Sequence, residues 1–273
     1  MKIYISADIE GISGVVNSTH VSQQGYDYNR ARKLMTDEVN AAVKGAKLSG
    51  AKTILVNDSH GPMTNLLIEE LDEDVVLITG NKKLLGMMEG IDDTYDAVLL
   101  IGYHARHNTS GVLAHTYHGG VISEVKVNGK AVGEFEFNAL VAGQYSVPVV
   151  FVSGDDTLSE QVKNFHPDIE TLVVKNTHSR YTAACMQPKK VHRLLEDSVH
   201  KILSQEIKRI TPCKMEGEIE LEVSFLNSGM AEATLFIPGV VLIEPNRVRY
   251  AAKDIIEAYK MRTALTTLAA SVL

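Results

Sequence analysis

Ile3-Tyr4-Ile5-Ser6-Ala7-Asp8-Ile9-Glu10-Gly11 opens the chain as a strand that runs into two acids. The β-branched and aromatic residues at its start favour extended backbone. Side chains alternate along a strand, so Asp8 and Glu10 are expected on one face. Two carboxylates placed together repel each other unless a cation neutralises them or one takes a proton. Gly11 is expected to let the backbone turn sharply after them. The end of the first strand is thus a candidate metal site.

Outward from this stretch, short apolar runs recur at Thr53–Val56, Val75–Ile78, Ala97–Ile101, Val147–Val152 and Thr171–Val174. Several lack strict alternation, as strands buried on both faces do. Between the first two strands, Met35, Val39, Ala42, Val43 and Ala46 recur at spacings of three and four, which predicts a helix over Asn29–Ser49. Helices are also expected at Glu134–Gly143, Pro188–Ile207 and Ala251–Leu273. This alternation predicts an α/β fold, a mainly parallel sheet flanked by helices. Val121, Ser123, Val125 and Val127 alternate before Asn128-Gly129, a strong two-residue turn, so a β-hairpin insertion is expected at Gly120–Gly133. A change of composition near Arg180–Pro188 divides the chain into a metal-binding α/β domain, 1–182, and a smaller C-terminal α+β domain, 183–273.

The 273 residues are 45% hydrophobic and 22% charged, the balance of a globular protein with a sizeable core. A formal net charge of -7 argues against nucleic acid as the main partner, because phosphate binding needs clustered Lys and Arg. The two cysteines, Cys185 and Cys213, form no metal or disulfide pattern and are expected as reduced, partly buried thiols. No signal peptide is visible and no apolar stretch is long enough to span a membrane, so a cytoplasmic location without membrane partners is expected.

Functional side chains in parallel sheets gather at the carboxyl ends of strands. His60 follows Thr53–Val56 in Asn57-Asp58-Ser59-His60-Gly61, and His104 follows Ala97–Ile101 in Gly102-Tyr103-His104-Ala105-Arg106. Together with Asp8 and Glu10 they offer the imidazole and carboxylate mixture that zinc and similar ions take. Taken alone, most of the ten histidines are surface or satisfied core residues, and Glu134 is an acid favoured by a helix N-terminus. Asp155-Asp156 reads as a helix cap, and Asp58 either orients His60 or caps a helix. The pattern suggests a metallohydrolase. Two bridged divalent ions serve amide and phosphoester hydrolysis equally.

The ordered set Ser6-Ala7-Asp8-Ile9-Glu10-Gly11, Val56-Asn57-Asp58-Ser59-His60, Gly102-Tyr103-His104-Ala105-Arg106, His115 and Val132-Gly133-Glu134 resembles the M55 peptidases over nearly the whole chain. The resemblance implies a zinc-dependent aminopeptidase acting on N-terminal, D-configured residues of short peptides. It further implies two Zn²⁺ per subunit and a large, ring-shaped homo-oligomer that encloses its active sites. By motif, Asp8, Glu10, His60, His104 and Glu134 are the implied zinc ligands, with Asp8 as the bridge, and His115 is the implied catalytic residue. Leu113 and Met230, which no stripe clearly buries, are the sequence's own hint of an assembly surface. The alternatives are a metal-dependent phosphohydrolase and a non-catalytic oligomer that binds peptide or metal. Against the first stand two histidines, an odd choice for Mg²⁺, and the lack of a glycine-rich phosphate loop.

Overall fold

A computed structural model describes the backbone of residues 1–273 and every side chain except those of Glu206 and Lys208. A seven-stranded sheet carries the N-terminal part. Its strands are β1 (Lys2–Ala7), β2 (Thr53–Asp58), β3 (Val75–Ile78), β4 (Ala97–Ile101), β7 (Val149–Asp155), β8 (Glu170–Ser179) and β9 (Thr182–Cys185), in the order β3-β2-β1-β4-β7-β8-β9. All pair in parallel except β9, which returns antiparallel along β8. The chain builds outward from β1 to β3 and then places β4 on the other side of β1. That reversal is a topological switch point, where a crevice opens beyond the strand ends.

Every residue of β4 is buried, which explains its unbroken apolar run. Helix α1 (Ser18–Val21) precedes α2 (Tyr28–Leu48), whose five stripe residues are buried as their spacing required. Full burial of Met35, Val39 and Val43 contributes about 1.5–3 kcal/mol each. Helix α5 (Pro188–Lys201) packs against α2, and α4 (Asp156–Phe165) packs on β7 and β8. Beyond α5 the helix continues through a π turn at Ile202–Glu206, so the expected helix to Ile207 is regular only to Lys201.

The second sheet has the order β11-β12-β10-β5-β6, made from β5 (Ile122–Val127), β6 (Lys130–Ala131), β10 (Ile219–Phe225), β11 (Val241–Glu244) and β12 (Arg247–Ala252). The expected hairpin is β5 and β6, turned at Asn128 (φ 49°) and Gly129 (φ 75°), the left-handed pair of a type I′ turn. It is not a free insertion, because β5 pairs antiparallel with β10. Helices α6 (Ser228–Thr234) and α7 (Ile255–Ala270) pack on β10 and β12, and α3 (Glu134–Gln144) lies between α7 and β7 of the first sheet. The two sheets therefore divide the chain differently from the units 1–182 and 183–273, since β9 and α5 join the first layer and the hairpin joins the second.

Leu113 and Met230 are buried within the subunit, at 6% and 3% exposure, so neither offers an assembly surface. Both cysteines are free thiols, with Cys185 exposed instead of partly buried. Among the described residues no helix is long and apolar enough to cross a membrane.

Candidate metal centre

Strands β1, β2 and β4 end in register, with Ala7 opposite both Asp58 and Ile101. This brings Asp8, Glu10, His60 and His104 to one edge of the sheet, at the crevice beside the switch point. The strand itself stops at Ala7, so Asp8 and Glu10 do not share a face by alternation as expected. They meet because the loop after β1 folds back over the strand end. Gly11 permits that by close approach, not by a left-handed turn. A Cβ there would lie 1.9 Å from the Tyr103 carbonyl oxygen, and the Gly11 N–H donates to the Gly102 carbonyl at 2.7 Å.

Beneath this loop lies a residue that sequence reading missed. Lys175 of β8 is 1% exposed, and its ammonium donates to the backbone carbonyls of Glu10, Ile12 and Val15. Those three bonds hold the loop's shape. Its signal in the sequence was a lysine directly after the apolar run Leu172-Val173-Val174. Asp58 neither orients His60 nor caps a helix. Its carboxylate accepts from the Asn65 and Leu66 N–H groups at 2.5 and 2.7 Å, which fixes the loop leaving β2. Asp155 does cap α4, accepting from Leu158 N–H at 2.8 Å.

Glu134 is the first residue of α3, where the helix dipole favours a carboxylate. Its Oε1 accepts from Tyr117 N–H at 2.5 Å. His115 sits in an irregular loop between Leu113 (φ 54°) and Tyr117 (φ 57°), both held in the left-handed region that non-glycine residues seldom adopt. Its ring stacks on His104 with centroids 4.1 Å apart. Asp8, Glu10, His60, His115 and Glu134 line one pocket, with His104 stacked behind His115. Other histidines, His107 and His118 among them, lie outside it.

Each of the three rings turns one nitrogen to a backbone carbonyl. His60 Nε2 lies 2.8 Å from the Val21 carbonyl oxygen, His104 Nδ1 2.9 Å from that of Ala105, and His115 Nδ1 2.9 Å from that of Leu113. A carbonyl only accepts, so each of these nitrogens carries the proton and donates. The opposite nitrogen of each neutral ring then turns a lone pair inward, towards carboxylate oxygens. His60 Nδ1 is 3.4 Å from Asp8 Oδ1 and 2.9 Å from Glu10 Oε2. His104 Nε2 is 3.5 Å from Asp8 Oδ2 and 3.4 Å from Glu134 Oε1. His115 Nε2 stands farther off, 4.0 Å from Glu10 and 3.9 Å from Glu134.

These residues fit a divalent metal. Asp8 Oδ2, Glu10 Oε2 and His104 Nε2 are buried without a hydrogen-bond partner. Zn²⁺ takes imidazole nitrogen and carboxylate oxygen at 2.0–2.2 Å, so neighbouring tetrahedral ligands stand roughly 3.4 Å apart. The observed donor separations cluster around that spacing. Carbonyl-anchored imidazoles are also the usual outer partners of metal-binding histidines. Without cations, burial and then the Glu10 charge push the Asp8 carboxyl up to about 8. Burial opposes a charge on His104, yet Glu134 and Asp8 push its imidazole up to about 10. Burial, then the charge on His104, pushes His115 down.

The family model described as D-aminopeptidase, that of the M55 peptidases, matches residues 1–264. The chain belongs to the M55 peptidase family. It is 39% identical over 270 residues to the D-aminopeptidase of Bacillus subtilis strain 168, covering 98% of both chains. Its structure is similar to that of the Zn-dependent D-aminopeptidase DppA from Bacillus subtilis, described as a self-compartmentalizing protease. That match has a TM-score of 0.96 and 38% identity, over 99% of this chain and 98% of the other. The M55 motifs thus fall on the strand ends and the two loops that converge here. Tyr117, Tyr259 and Arg262, which also line the pocket of this M55 chain, were not singled out as site residues from sequence.

Proposed function

We propose that this chain is a zinc-dependent aminopeptidase with two zinc ions per subunit, removing N-terminal D-amino acids from short peptides. The observation that carries this reading is the set of inward lone pairs, each ring anchored outside by a backbone carbonyl and facing carboxylates across a ligand-to-ligand distance. Asp8 turns Oδ1 to His60 and Oδ2 to His104 and would be shared between the ions. Glu10 and His60 would complete one site, and His104 and Glu134 the other. Two imidazoles in the ligand set are a poor choice for Mg²⁺, which disfavours the phosphohydrolase reading.

When bound, the ions polarise the scissile carbonyl and acidify water towards neutral pH. His115 moves the protons. Its Nδ1 proton is committed to Leu113 O, so Nε2 of the neutral ring is the nitrogen placed to accept a proton and return it to the departing amine. Its side chain is 18% exposed, against 1% for His104 and 10% for His60, so it is the imidazole most open to the pocket. The pocket volume is about 220 Å³, below the roughly 300–1,000 Å³ of sites for drug-sized ligands, which suits a small peptide.

The test is an assay of zinc-loaded protein on D-alanyl peptides, L-aminoacyl amides and a generic phosphoester, with and without chelator. Chelator-sensitive release of the N-terminal D-residue is expected. Turnover of the phosphoester alone would replace this reading with the phosphohydrolase, and metal binding without turnover with the non-catalytic one.

A further inference from the structure

Two basic side chains line the pocket, Lys83 and Arg262. They differ in what they have left to offer. The Lys83 ammonium donates to Asn57 Oδ1 at 2.7 Å, Asp58 O at 2.7 Å and Ile78 O at 3.3 Å, so its three protons are committed to protein. Arg262, on α7, is only 6% exposed, yet its guanidinium makes no hydrogen bond and no ion pair with any described residue. Its Nε is buried without a partner. The guanidinium carbon lies over the Tyr117 ring, 3.4 Å from the centroid, and over the Tyr259 ring at 4.5 Å.

A guanidinium cannot shed its proton to escape burial. Cation–π contact with two phenol rings returns part of the desolvation cost, but the rings supply no acceptor for the N–H fork. The guanidinium is packed against two mutually perpendicular rings while its N–H groups have no acceptor among the described residues, which leaves them available to an anion that offers two oxygens. The carboxylates of the pocket are engaged elsewhere. Glu134 accepts from Tyr117 N–H and faces His104, and Asp8 and Glu10 face His60. The missing anion must therefore come from outside the subunit. A short peptide carries one such group, its own C-terminal carboxylate.

We propose that Arg262 is a specificity-determining residue that receives the C-terminal carboxylate of the substrate, with Tyr117 and Tyr259 holding the guanidinium in place. This rests on the aminopeptidase reading and narrows it. The substrates are short peptides with a free carboxyl end, while amidated or C-terminally extended ones are poor. A site built around an unpaired polar group rejects the analogue that cannot pair with it.

Zinc-loaded wild type, Arg262→Met and Arg262→Lys are assayed on D-alanyl-glycine and on D-alanyl-glycinamide. Wild type is expected to favour the free acid by roughly tenfold or more in kcat/KM, mainly through KM. Arg262→Met brings the ratio close to one, and Arg262→Lys retains part of it. Equal turnover of the two peptides by wild type overturns the proposal without recourse to any variant. A loss by Arg262→Met that is equal on both peptides also overturns it, leaving Arg262 a packing residue or the partner of an acid from another subunit. Absence of turnover on either peptide removes the aminopeptidase reading itself, and the proposal with it.

Discussion

Val21 carries no reactive group, yet its carbonyl decides which nitrogen of His60 faces Asp8 and Glu10. It is the last residue of α1, where helix carbonyls lack partners within the helix, so it is free to accept from an imidazole. Ala105 and Leu113 do the same for His104 and His115. At this scale the two roles assigned to the site can be separated. Asp8→Ala removes the one carboxylate that faces both His60 and His104, so elemental analysis is expected to show most of the zinc lost; wild-type zinc content would contradict its bridging role. His115→Ala is expected to keep its zinc and to lose about a hundredfold or more in D-alanyl peptide turnover, the scale of a lost proton carrier. Zinc and activity falling together would make His115 a ligand. His60 and His104 stood out in the sequence because they follow strands. The tautomers did not, because each is set by a carbonyl elsewhere in the chain or in its own loop.

The ends of β1 and β4 are the elements on which the site depends. Their loops touch backbone to backbone at Gly11 and Gly102, and a methyl group at Gly11 would meet only main-chain atoms, which cannot swing aside. Gly11→Ala is expected to cost about 1–3 kcal/mol or more, as overpacking does. Thermal unfolding should show a midpoint lower by several degrees. Because the displaced loop carries Glu10, zinc affinity should fall as well. An unaltered midpoint with full zinc content would show that the two loops have room to part. The strand–helix–strand pattern was legible from periodicity, since burial on a stripe or on two faces leaves a direct trace in residue spacing. The reason for Gly11 was not, because close approach involves a segment about ninety residues away in sequence.

At the scale of the whole molecule, one edge of the second sheet stands open. Strand β11 pairs on one side only, and Val241 and Leu242 are 51% and 42% exposed, with Phe236 nearby in sequence at 87%. Open apolar edges invite pairing with another chain. The similar structure is described as self-compartmentalizing, and this edge is where copies of the present chain are expected to meet. Light scattering is expected to give a mass many times the 29.9 kDa of one chain. Leu242→Lys should shift it towards smaller species. A wild-type monomer at micromolar concentration would contradict the inference. The sequence had pointed to Leu113 and Met230 for this surface. Both are buried within the subunit, Met230 on α6 where that helix packs against α7 and β10, packing that no local pattern records.

The amino-acid sequence by itself determined the mainly parallel α/β layer, the hairpin turn and the family, since each rests on short-range periodicity or on an ordered string of motifs. Only the tertiary structure decided that the C-terminal strands complete the hairpin's sheet, that Lys175 underpins the Glu10 loop and that Arg262 enters the pocket from α7. Those pairings are made between segments up to 165 residues apart. They are selected by burial and by the need of each buried polar group for a partner, a condition that exists only once the chain has closed on itself.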